Sequence, residues 1–287
     1  MGKILKTLMF DNQISVSLLD TTDVVNKAIE FHGLSPVAAA ALGRTLTVTA
    51  FMASGLKNPR DSVTVTVSGN GAGGHIVALA DSDLSVRGYV DNPAVDIPLK
   101  PDGKLDVASF VGKGRITVVK NMGLKEPYVG TCNIVGGEIA EDFAAYYTYS
   151  EQQPTGIALG VKIGTDYTCV GAGGLILQPL PDASDDSITK AEELLSGFSS
   201  ISSLIEKDGI DGIVEKYFKN VEFSEYETTY RCNCSKDRID RVLLTLGKKE
   251  LYDIIESEGK VEVSCHFCPK KYVYDIKDVD KLLSENE

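Results

Sequence analysis

Four of the six cysteines in this 287-residue chain form two closely spaced pairs near its C-terminus. The first pair is Cys232 and Cys234, the second is Cys265 and Cys268, and thirty residues separate the two pairs. Two thiol pairs on a foldable segment suit a tetrahedral four-thiolate site, because each pair supplies two adjacent ligands and Zn²⁺ has no d-electron preference for another geometry. The spacing therefore predicts that these four residues bind a metal ion.

The spacing leaves the role of that metal open. A zinc ion could simply hold together residues 232–287, a segment too small for a large core, since metal binding supplies folding free energy. The spacing alone favours this passive role. The one-residue separation of Cys232 and Cys234 weakens that interpretation, because their disulfide would close a small strained ring, and strained, labile disulfides suit a redox switch better than a permanent link. A permanent disulfide framework of the secreted type is disfavoured, because the N-terminus lacks the pattern of a signal peptide.

The remaining cysteines and the histidines do not indicate an enzyme. Cys132 and Cys169 lie in strand-like apolar sequence, where free cysteine is usually buried in the core. A cysteine–histidine hydrolase needs a positioned base, and none of the three histidines has a suitable setting. His32 falls at a helix end, His75 at a strand start and His266 between two proposed ligands. We therefore predict no catalytic residue.

Residues 69–74 match the G-x-G-x-x-G pattern of dinucleotide-binding proteins but not its context. That motif needs a helix next, because the pyrophosphate binds to the amides of a helix N-terminus. Here residues 75–80 continue as a second strand-like run, and no P-loop lysine follows. The glycines predict a hairpin, residues 171–174 are interpreted in the same way, and no nucleotide is expected.

Charge makes nucleic acid and membranes unfavourable partners. The 41 acidic residues outnumber the 29 basic ones, so the net charge is −12 and the chain repels phosphate backbones and anionic lipids. Residues 35–56 are the stretch that most resembles a membrane-spanning segment. This stretch is rich in alanine and carries Arg44, which favours a buried helix instead. With no signal peptide recognised, the cytoplasm is the expected compartment.

The sequence predicts an α+β fold in three segments. Residues 1–178 mix strand and helix signals without regular β-α-β alternation. Residues 179–231 concentrate the acidity, with twelve acidic and five basic residues, and residues 232–287 carry the clustered cysteines. Strands are predicted at 4–10, 14–19, 63–67, 75–80, 85–90, 115–120, 128–135, 156–163 and 168–177. Helices are predicted from 22 to 32, with Gly33 as a C-terminal stop, from Pro36, with Ser35 as the N-cap, and from 139 to 149.

An apolar stripe at helical spacing runs through the acidic segment, which we expect to be helical. Asp185 or Asp186 is expected to cap its start, and Gly209 and Gly212 to break it. The ordinary interpretation is a helix packed on its neighbour. The functional interpretation is a detachable linker whose apolar face becomes available when its partner leaves. The stripe consists of Ile188, Ala191, Leu194, Leu195, Phe198, Ile201, Leu204 and Ile205.

The sequence as a whole resembles the redox-regulated 33-kDa chaperonins, a family of heat-shock holdases of the bacterial cytoplasm. The most specific similarities lie in residues 232–238, 246–251 and 265–268. Gly136 departs from the serine of the family pattern, and Cys132 and Cys169 are not family ligands. Further similar stretches are 87–90, 136–143, 150–154 and 172–174.

The resemblance implies a function for each segment: a substrate-binding domain at 1–178, a helical linker and a zinc-binding redox domain. It implies that the four clustered cysteines bind one Zn²⁺ when reduced and form the disulfides Cys232–Cys234 and Cys265–Cys268 when oxidised. Oxidation would release zinc, loosen the linker, expose apolar surface and promote homodimers. The partners would be unfolded or aggregation-prone client proteins, without ATP and without catalysis.

Two functions of other classes are alternatives. A zinc-ribbon module that binds nucleic acid would need a basic face, whereas residues 232–287 are nearly charge-balanced and residues 179–231 are strongly acidic. A thiol–disulfide oxidoreductase would need Cys265 and Cys268 at the start of a helix. The sequence on both sides of this pair instead predicts a hairpin.

Overall fold

The structure, a computed structural model, describes residues 1–284 of the chain. The chain divides into two compact units, of which the first is Met1–Arg231 and the second begins at Cys232. The acidic segment 179–231 belongs to the first unit, and the four clustered cysteines all belong to the second. The separate functional roles of the three predicted segments stay predictions.

One large sheet organises the first unit. In chain order, its strands β1 to β10 are Gly2–Met9, Ile14–Asp20, Ser62–Gly69, His75–Asp81, Ser85–Val90, Gly114–Asn121, Tyr128–Asn133, Gly156–Ile163, Cys169–Pro179 and Ser224–Tyr230. The order across the sheet is β7-β6-β3-β4-β5-β10-β1-β2-β9-β8. Neighbouring strands are antiparallel except β5 and β10, which are parallel. A mainly antiparallel sheet with helices confirms the predicted α+β class.

Helices lie on both faces of the sheet. Because successive strand residues point to opposite faces, the neighbours Ile4 and Leu5 enter different cores. Ile4 packs in the core that includes α1 and α2, whereas Leu5 packs in the core that includes α5 and α6. In chain order, the helices α1 to α6 are Thr22–His32, Pro36–Ala53, Val107–Val111, Ala140–Tyr149, Asp185–Ser196 and Ile201–Tyr217.

Helix α2 lies at the centre of the first core. Ser35 caps it by accepting a hydrogen bond from the backbone N–H of Ala38, and Pro36 occupies its first turn, as predicted. By length and composition α2 could cross a bilayer, yet 89% of it is buried inside the structure. Arg44 forms an ion pair with Glu138 at 2.8 Å. The burial and the paired arginine are those of a core helix.

The glycine-rich residues 69–74 form the predicted hairpin connection between β3 and β4, and a strand follows them. Gly69 and Gly73 lie against α3, a short helix that was not predicted. A Cβ on Gly69 would lie 1.8 Å from the carbonyl oxygen of Val111, and one on Gly73 would lie 2.3 Å from the ring of Phe110. These glycines therefore permit the close approach of two backbone segments.

Two helices, α5 and α6, carry the apolar stripe of the acidic segment. Ser184 caps α5 by accepting a hydrogen bond from the backbone N–H of Ser187 at 3.2 Å. The cap predicted at Asp185 or Asp186 is therefore wrong, because both residues lie in the first turn of the helix. Their negative charges still interact favourably with the helix dipole there. Gly209 interrupts α6 with a φ of 64°, as predicted. The break predicted at Gly212 is wrong, because Gly212 keeps a helical backbone and α6 continues through it to Tyr217.

The end of the acidic segment is a strand, which corrects the prediction that this whole segment is helical. β10 pairs with β1 over five residues and with β5 over two. Its threonines and tyrosines favour extended backbone, and the edges of β1 and β5 supply its hydrogen-bond partners. β10 thus joins the two halves of the sheet.

The second unit is small. In its described part, α7, α8, β11, β12 and α9 are Lys236–Leu246, Lys248–Glu258, Val261–Ser264, Lys271–Tyr274 and Ile276–Ser284. β11 and β12 form the predicted hairpin around Cys265 and Cys268. The buried apolar core of the described residues is Leu243, Leu251, Val261, Tyr274, Val279 and Leu282.

Candidate metal centre

The first cysteine pair lies in the connection between β10 and α7. Cys232 follows β10 after one residue, and Cys234 directly precedes Ser235, the cap of α7. Ser235 accepts a hydrogen bond from the backbone N–H of Arg238 at 3.3 Å, and Asn233 accepts one from the Arg238 guanidinium at 2.8 Å. The start of α7 thus fixes the course of the connection that carries both thiols.

The second cysteine pair lies in the turn of the β11–β12 hairpin. The backbone N–H of Cys265 donates to the carbonyl oxygen of Lys270 at 3.0 Å and closes the turn. Cys268 is buried, whereas Cys265 is half-buried. The hairpin therefore presents two sulfurs from one turn.

The four sulfurs lie within 4.8 Å of one another. The Sγ atoms of Cys232 and Cys265 are 3.6 Å apart, and those of Cys234 and Cys268 are 3.5 Å apart. Four sulfurs at about 2.3 Å from one Zn²⁺ would be about 3.8 Å apart in a tetrahedron. All four are free thiols. The structure brings the four predicted residues together with a spacing that fits a metal ion, and we propose below that they are its ligands.

Cys234 differs electrostatically from Cys232 and Cys268. Burial raises the pKa of Cys234, but hydrogen bonds with Tyr272 and with the neighbouring thiols outweigh burial and bring the pKa to about 7. Burial raises the pKa of Cys232 and also that of Cys268. The thiolate form is thus more favourable at Cys234 than at Cys232 or Cys268, whose ionisation the charge of a bound cation would assist.

A tyrosine that was not predicted from the sequence contacts the cluster. Tyr272 lies on β12 opposite Val263, and its hydroxyl oxygen is 3.2 Å from the sulfur of Cys234. The hydrogen bond with Cys234 raises the pKa of Tyr272 to about 12. No sequence signal marks this residue, because tyrosine is an ordinary residue of a short strand.

The other two cysteines lie in the first unit. Cys169 is buried in β9, as predicted, and burial raises its pKa to about 12. Cys132 is only half-buried, which corrects the prediction of a core cysteine, because β7 is an edge strand. Burial and the charge of Asp142 raise the pKa of Cys132. Thiols with raised pKa values are poor nucleophiles, and neither residue belongs to the four-sulfur group.

Comparison with known proteins identifies the family. The family model described as "Hsp33 protein" matches residues 2–275. The chain belongs to the Hsp33 family. It is 46% identical to the 33 kDa chaperonin of Alkaliphilus oremlandii over 279 residues, which cover 96% of this chain and 93% of that relative. It is 42% identical to the 33 kDa chaperonin of Ruminiclostridium cellulolyticum over 270 residues, which cover 93% and 92%.

A solved Hsp33 structure has the same fold. The crystal structure of the 33 kDa chaperonin (heat shock protein 33 homolog) from Thermotoga maritima matches with a TM-score of 0.90 and 34% identity, and the match covers 99% of this chain and 98% of that one. This Hsp33 family member is therefore a chaperonin of the 33 kDa type, which confirms the resemblance. Its relatives are named as chaperonins, which are not enzymes.

Proposed function

We propose that this chaperonin is a redox-regulated holdase that binds unfolding client proteins without ATP. In the reduced, inactive form, Cys232, Cys234, Cys265 and Cys268 hold one Zn²⁺. Oxidation to the disulfides Cys232–Cys234 and Cys265–Cys268 releases the zinc and activates the chaperone, as a homodimer in the cytoplasm. The observation that carries the proposal is the four-sulfur group, which directly follows a strand of the first unit.

The donor set suits zinc, because thiolates are soft ligands and four of them complete a tetrahedral shell. Bound zinc keeps all four sulfurs deprotonated near neutral pH, and the thiolate is the form that peroxide oxidises. For each disulfide, two cysteines lose two electrons to one hydrogen peroxide, which takes up two protons and becomes two waters. The oxidised sulfurs no longer act as thiolate ligands.

The second unit needs the four thiolate ligands for its stability. Its described core contains six buried apolar side chains. A core of this size contributes at most about 5 kcal/mol, whereas metal binding contributes about 10 kcal/mol or more to small domains of this kind. Oxidation of the ligands should therefore unfold the unit.

β10 provides the route from the second unit into the first. Near its end, the hydroxyl of Thr228 donates to the carbonyl oxygen of Leu84 at 2.8 Å, and the hydroxyl of Tyr230 donates to the carbonyl oxygen of Gly88 at 2.7 Å. The chain then continues through one residue into Cys232. Unfolding that starts at Cys232 therefore acts first on the anchored end of β10.

Helices α5 and α6 cover an apolar surface of the sheet that we call the linker face. Full burial of one aliphatic side chain contributes about 1.5–3 kcal/mol, so an uncovered linker face would bind exposed apolar segments of an unfolding protein. On the sheet, the linker face consists of Leu5, Ile14, Val16, Leu18, Leu175 and Leu177. The helices bury Ala191, Ile201, Ile205, Ile210 and Ile213 against it.

Glycines allow α6 to lie directly on β8 and β9. A Cβ added to Gly171 would lie 2.2 Å from the carbonyl oxygen of Ser202, and one added to Gly160 would lie 2.9 Å from the backbone nitrogen of Ser202. Such close packing does not deform gradually. We therefore expect the linker to be either docked or released, which suits an on–off chaperone.

The surroundings of the site support the two alternative functions less well. Cys265 and Cys268 lie in a hairpin turn, and not at the helix start that a redox Cys-x-x-Cys pair uses. Residues 232–287 hold ten basic and twelve acidic residues, unlike the basic face of a nucleic-acid-binding zinc ribbon.

Light scattering by a thermally aggregating protein tests the proposal. Peroxide-treated protein should suppress the aggregation, protein kept in reductant should not, and zinc release into a chromogenic chelator should accompany activation. Equal suppression in both redox states would contradict redox regulation, and no suppression in either state would contradict the holdase. Turnover of insulin disulfides would favour the oxidoreductase, and salt-sensitive DNA binding would favour the zinc ribbon.

A further inference from the structure

Tyr272 joins the two cysteine pairs through a hydrogen bond. It lies on β12, whose hairpin carries Cys265 and Cys268, yet its hydroxyl oxygen is 3.2 Å from the sulfur of Cys234 in the other pair. The register of the hairpin sets this position, because Tyr272 pairs with Val263 of β11. The hydroxyl thus restrains a sulfur that comes from a distant part of the sequence.

The direction of this hydrogen bond is fixed when the site holds a metal. A metal-bound cysteine is a thiolate, which has no proton and can only accept. Tyr272 must therefore donate its O–H to Cys234. Such outer-shell donors orient metal ligands and tune their electron density. A sulfur that accepts a hydrogen bond has less electron density available, so it attacks peroxide more slowly.

We propose that Tyr272 is a positioning residue that shields Cys234 from oxidation and thereby directs the first oxidation to Cys265 and Cys268. This inference rests on the redox function proposed above. In the first step, an S–S bond forms between Cys265 and Cys268, which lose two electrons to one hydrogen peroxide. The peroxide takes up two protons and leaves as two waters. Cys234 keeps its hydrogen bond from Tyr272 until the hairpin unfolds.

Two tyrosine variants of the 287-residue chain isolate the contribution of this hydroxyl. Tyr272→Phe removes the O–H and keeps the ring. Tyr252→Phe is the matched control, because Tyr252 is also half-buried in the second unit and its hydroxyl donates to Asp280, at 2.5 Å, instead of to a sulfur.

Cobalt substitution provides a spectroscopic measurement that would not change if Tyr272 only supported the fold. In Co²⁺-loaded Tyr272→Phe, the sulfur-to-cobalt charge-transfer bands should shift to longer wavelength, because a thiolate without the hydrogen bond gives up electrons more easily. Zinc binding, measured by chelator competition, should weaken about tenfold, at the lower end of the range for lost outer-shell partners. In Tyr252→Phe, both the bands and the zinc affinity should match the wild type.

Thiol trapping under limiting peroxide tests the direction of oxidation. In the wild type, the Cys265–Cys268 disulfide should appear first. In Tyr272→Phe, a disulfide between Cys234 and Cys268, whose sulfurs are 3.5 Å apart, should appear at the same time, and in Tyr252→Phe the wild-type order should persist. Mass spectrometry of the trapped peptides identifies each bond.

Three results would each overturn the inference: unchanged cobalt bands in Tyr272→Phe, an unchanged order of disulfides, or no tetrahedral cobalt spectrum at all. The last result would make Tyr272 a residue that the site needs to fold. None of the three bears on the proposed function, which fails only if peroxide does not activate the wild-type chain. The two failures are therefore distinguishable.

Discussion

The backbone N–H of Arg231 donates a hydrogen bond to the carbonyl oxygen of Val86 at 2.9 Å. Val86 lies on β5, and Arg231 is the residue directly before Cys232, the first member of the four-sulfur group. A backbone contact of the large sheet thus lies one residue away from the first proposed ligand. Oxidation of the cysteines therefore has a direct covalent route into β10.

The four clustered cysteines should bind one zinc per reduced chain. Replacing any one of them by serine should cause most of the zinc to be lost, because three thiolates leave one tetrahedral position to a weaker ligand. Metal analysis after gel filtration measures the ratio. Cys132→Ser and Cys169→Ser are the controls and should keep the zinc. Full retention in two of the four cluster variants would contradict the four-cysteine site.

An aspartate on a helix that covers the linker face should activate the chaperone without oxidation. Ile201 of α6 is buried against this face, so Ile201→Asp removes about 1.5–3 kcal/mol of apolar burial and adds the desolvation of a charge. We expect reduced Ile201→Asp to suppress aggregation, with a smaller effect for Leu194→Asp, because Leu194 is only half-buried. Ser203→Asp, exposed on the same helix, is the control. Reduced proteins that stay inactive and protease-resistant in both linker-face variants would show that the linker is not the gate.

A methyl group under α6 should have the same effect as a charge. In Gly171→Ala, the new Cβ would lie 2.2 Å from the carbonyl oxygen of Ser202, and we expect the overpacking to weaken docking by about 1–3 kcal/mol. Limited proteolysis of the reduced protein should then cut α6 faster. Gly197→Ala is the control, because its Cβ would meet the carbonyl oxygen of Leu194 at an acceptable 3.4 Å. Equal cleavage rates in the two variants would argue against the close contact as a gate.

The first unit should lose stability in mild acid through His32. Its Nε2 atom is 2.9 Å from the hydroxyl of Tyr230, and burial lowers the pKa of His32 below its ordinary value. As the pH falls through about 6.5, the unfolded chain takes up a proton that the folded chain resists, so the free energy of unfolding decreases. Between about pH 7.5 and 5.5, the urea midpoint of the wild type should fall more than that of His32→Gln. Equal shifts would exclude this contribution.

The sequence predicted helix ends that are set by residues adjacent in the chain. Ser35 and Pro36 start α2, and Gly33, with a φ of 59°, ends α1. The helix α3 could not be predicted in this way, because its five residues are held by Gly69 and other distant glycines. β10 likewise depends on the edges of β1 and β5, which the sequence does not show.

The candidate site was also predictable only in part. Ligand type and spacing indicated the grouping of the four cysteines, because metal chemistry depends on few atoms. Tyr272 could not be found, since its contact with Cys234 joins a hairpin register to a loop 38 residues earlier. The half-buried position of Cys132 also required the strand order, which makes β7 an edge.

The two disulfides should form in a fixed order. Two residues lie between Cys265 and Cys268, which permits a relaxed disulfide. Only one residue lies between Cys232 and Cys234, so a disulfide between them closes a smaller, strained ring. We therefore expect Cys265–Cys268 to close first. The zinc should leave with this bond, because two remaining thiolates cannot fill a tetrahedral shell.

Chaperone activity should follow the second disulfide and not the first. We expect the loss of the first two ligands to unfold the second unit, and only this freedom should let Cys232 and Cys234 close their strained ring and pull on β10. Time-resolved thiol trapping, run beside zinc release and light scattering under mild peroxide and heat, measures the three events in one sample. Activity that rises with Cys265–Cys268 alone would remove β10 from the mechanism. A Cys232–Cys234 disulfide that appears first, with zinc still bound, would contradict the order itself.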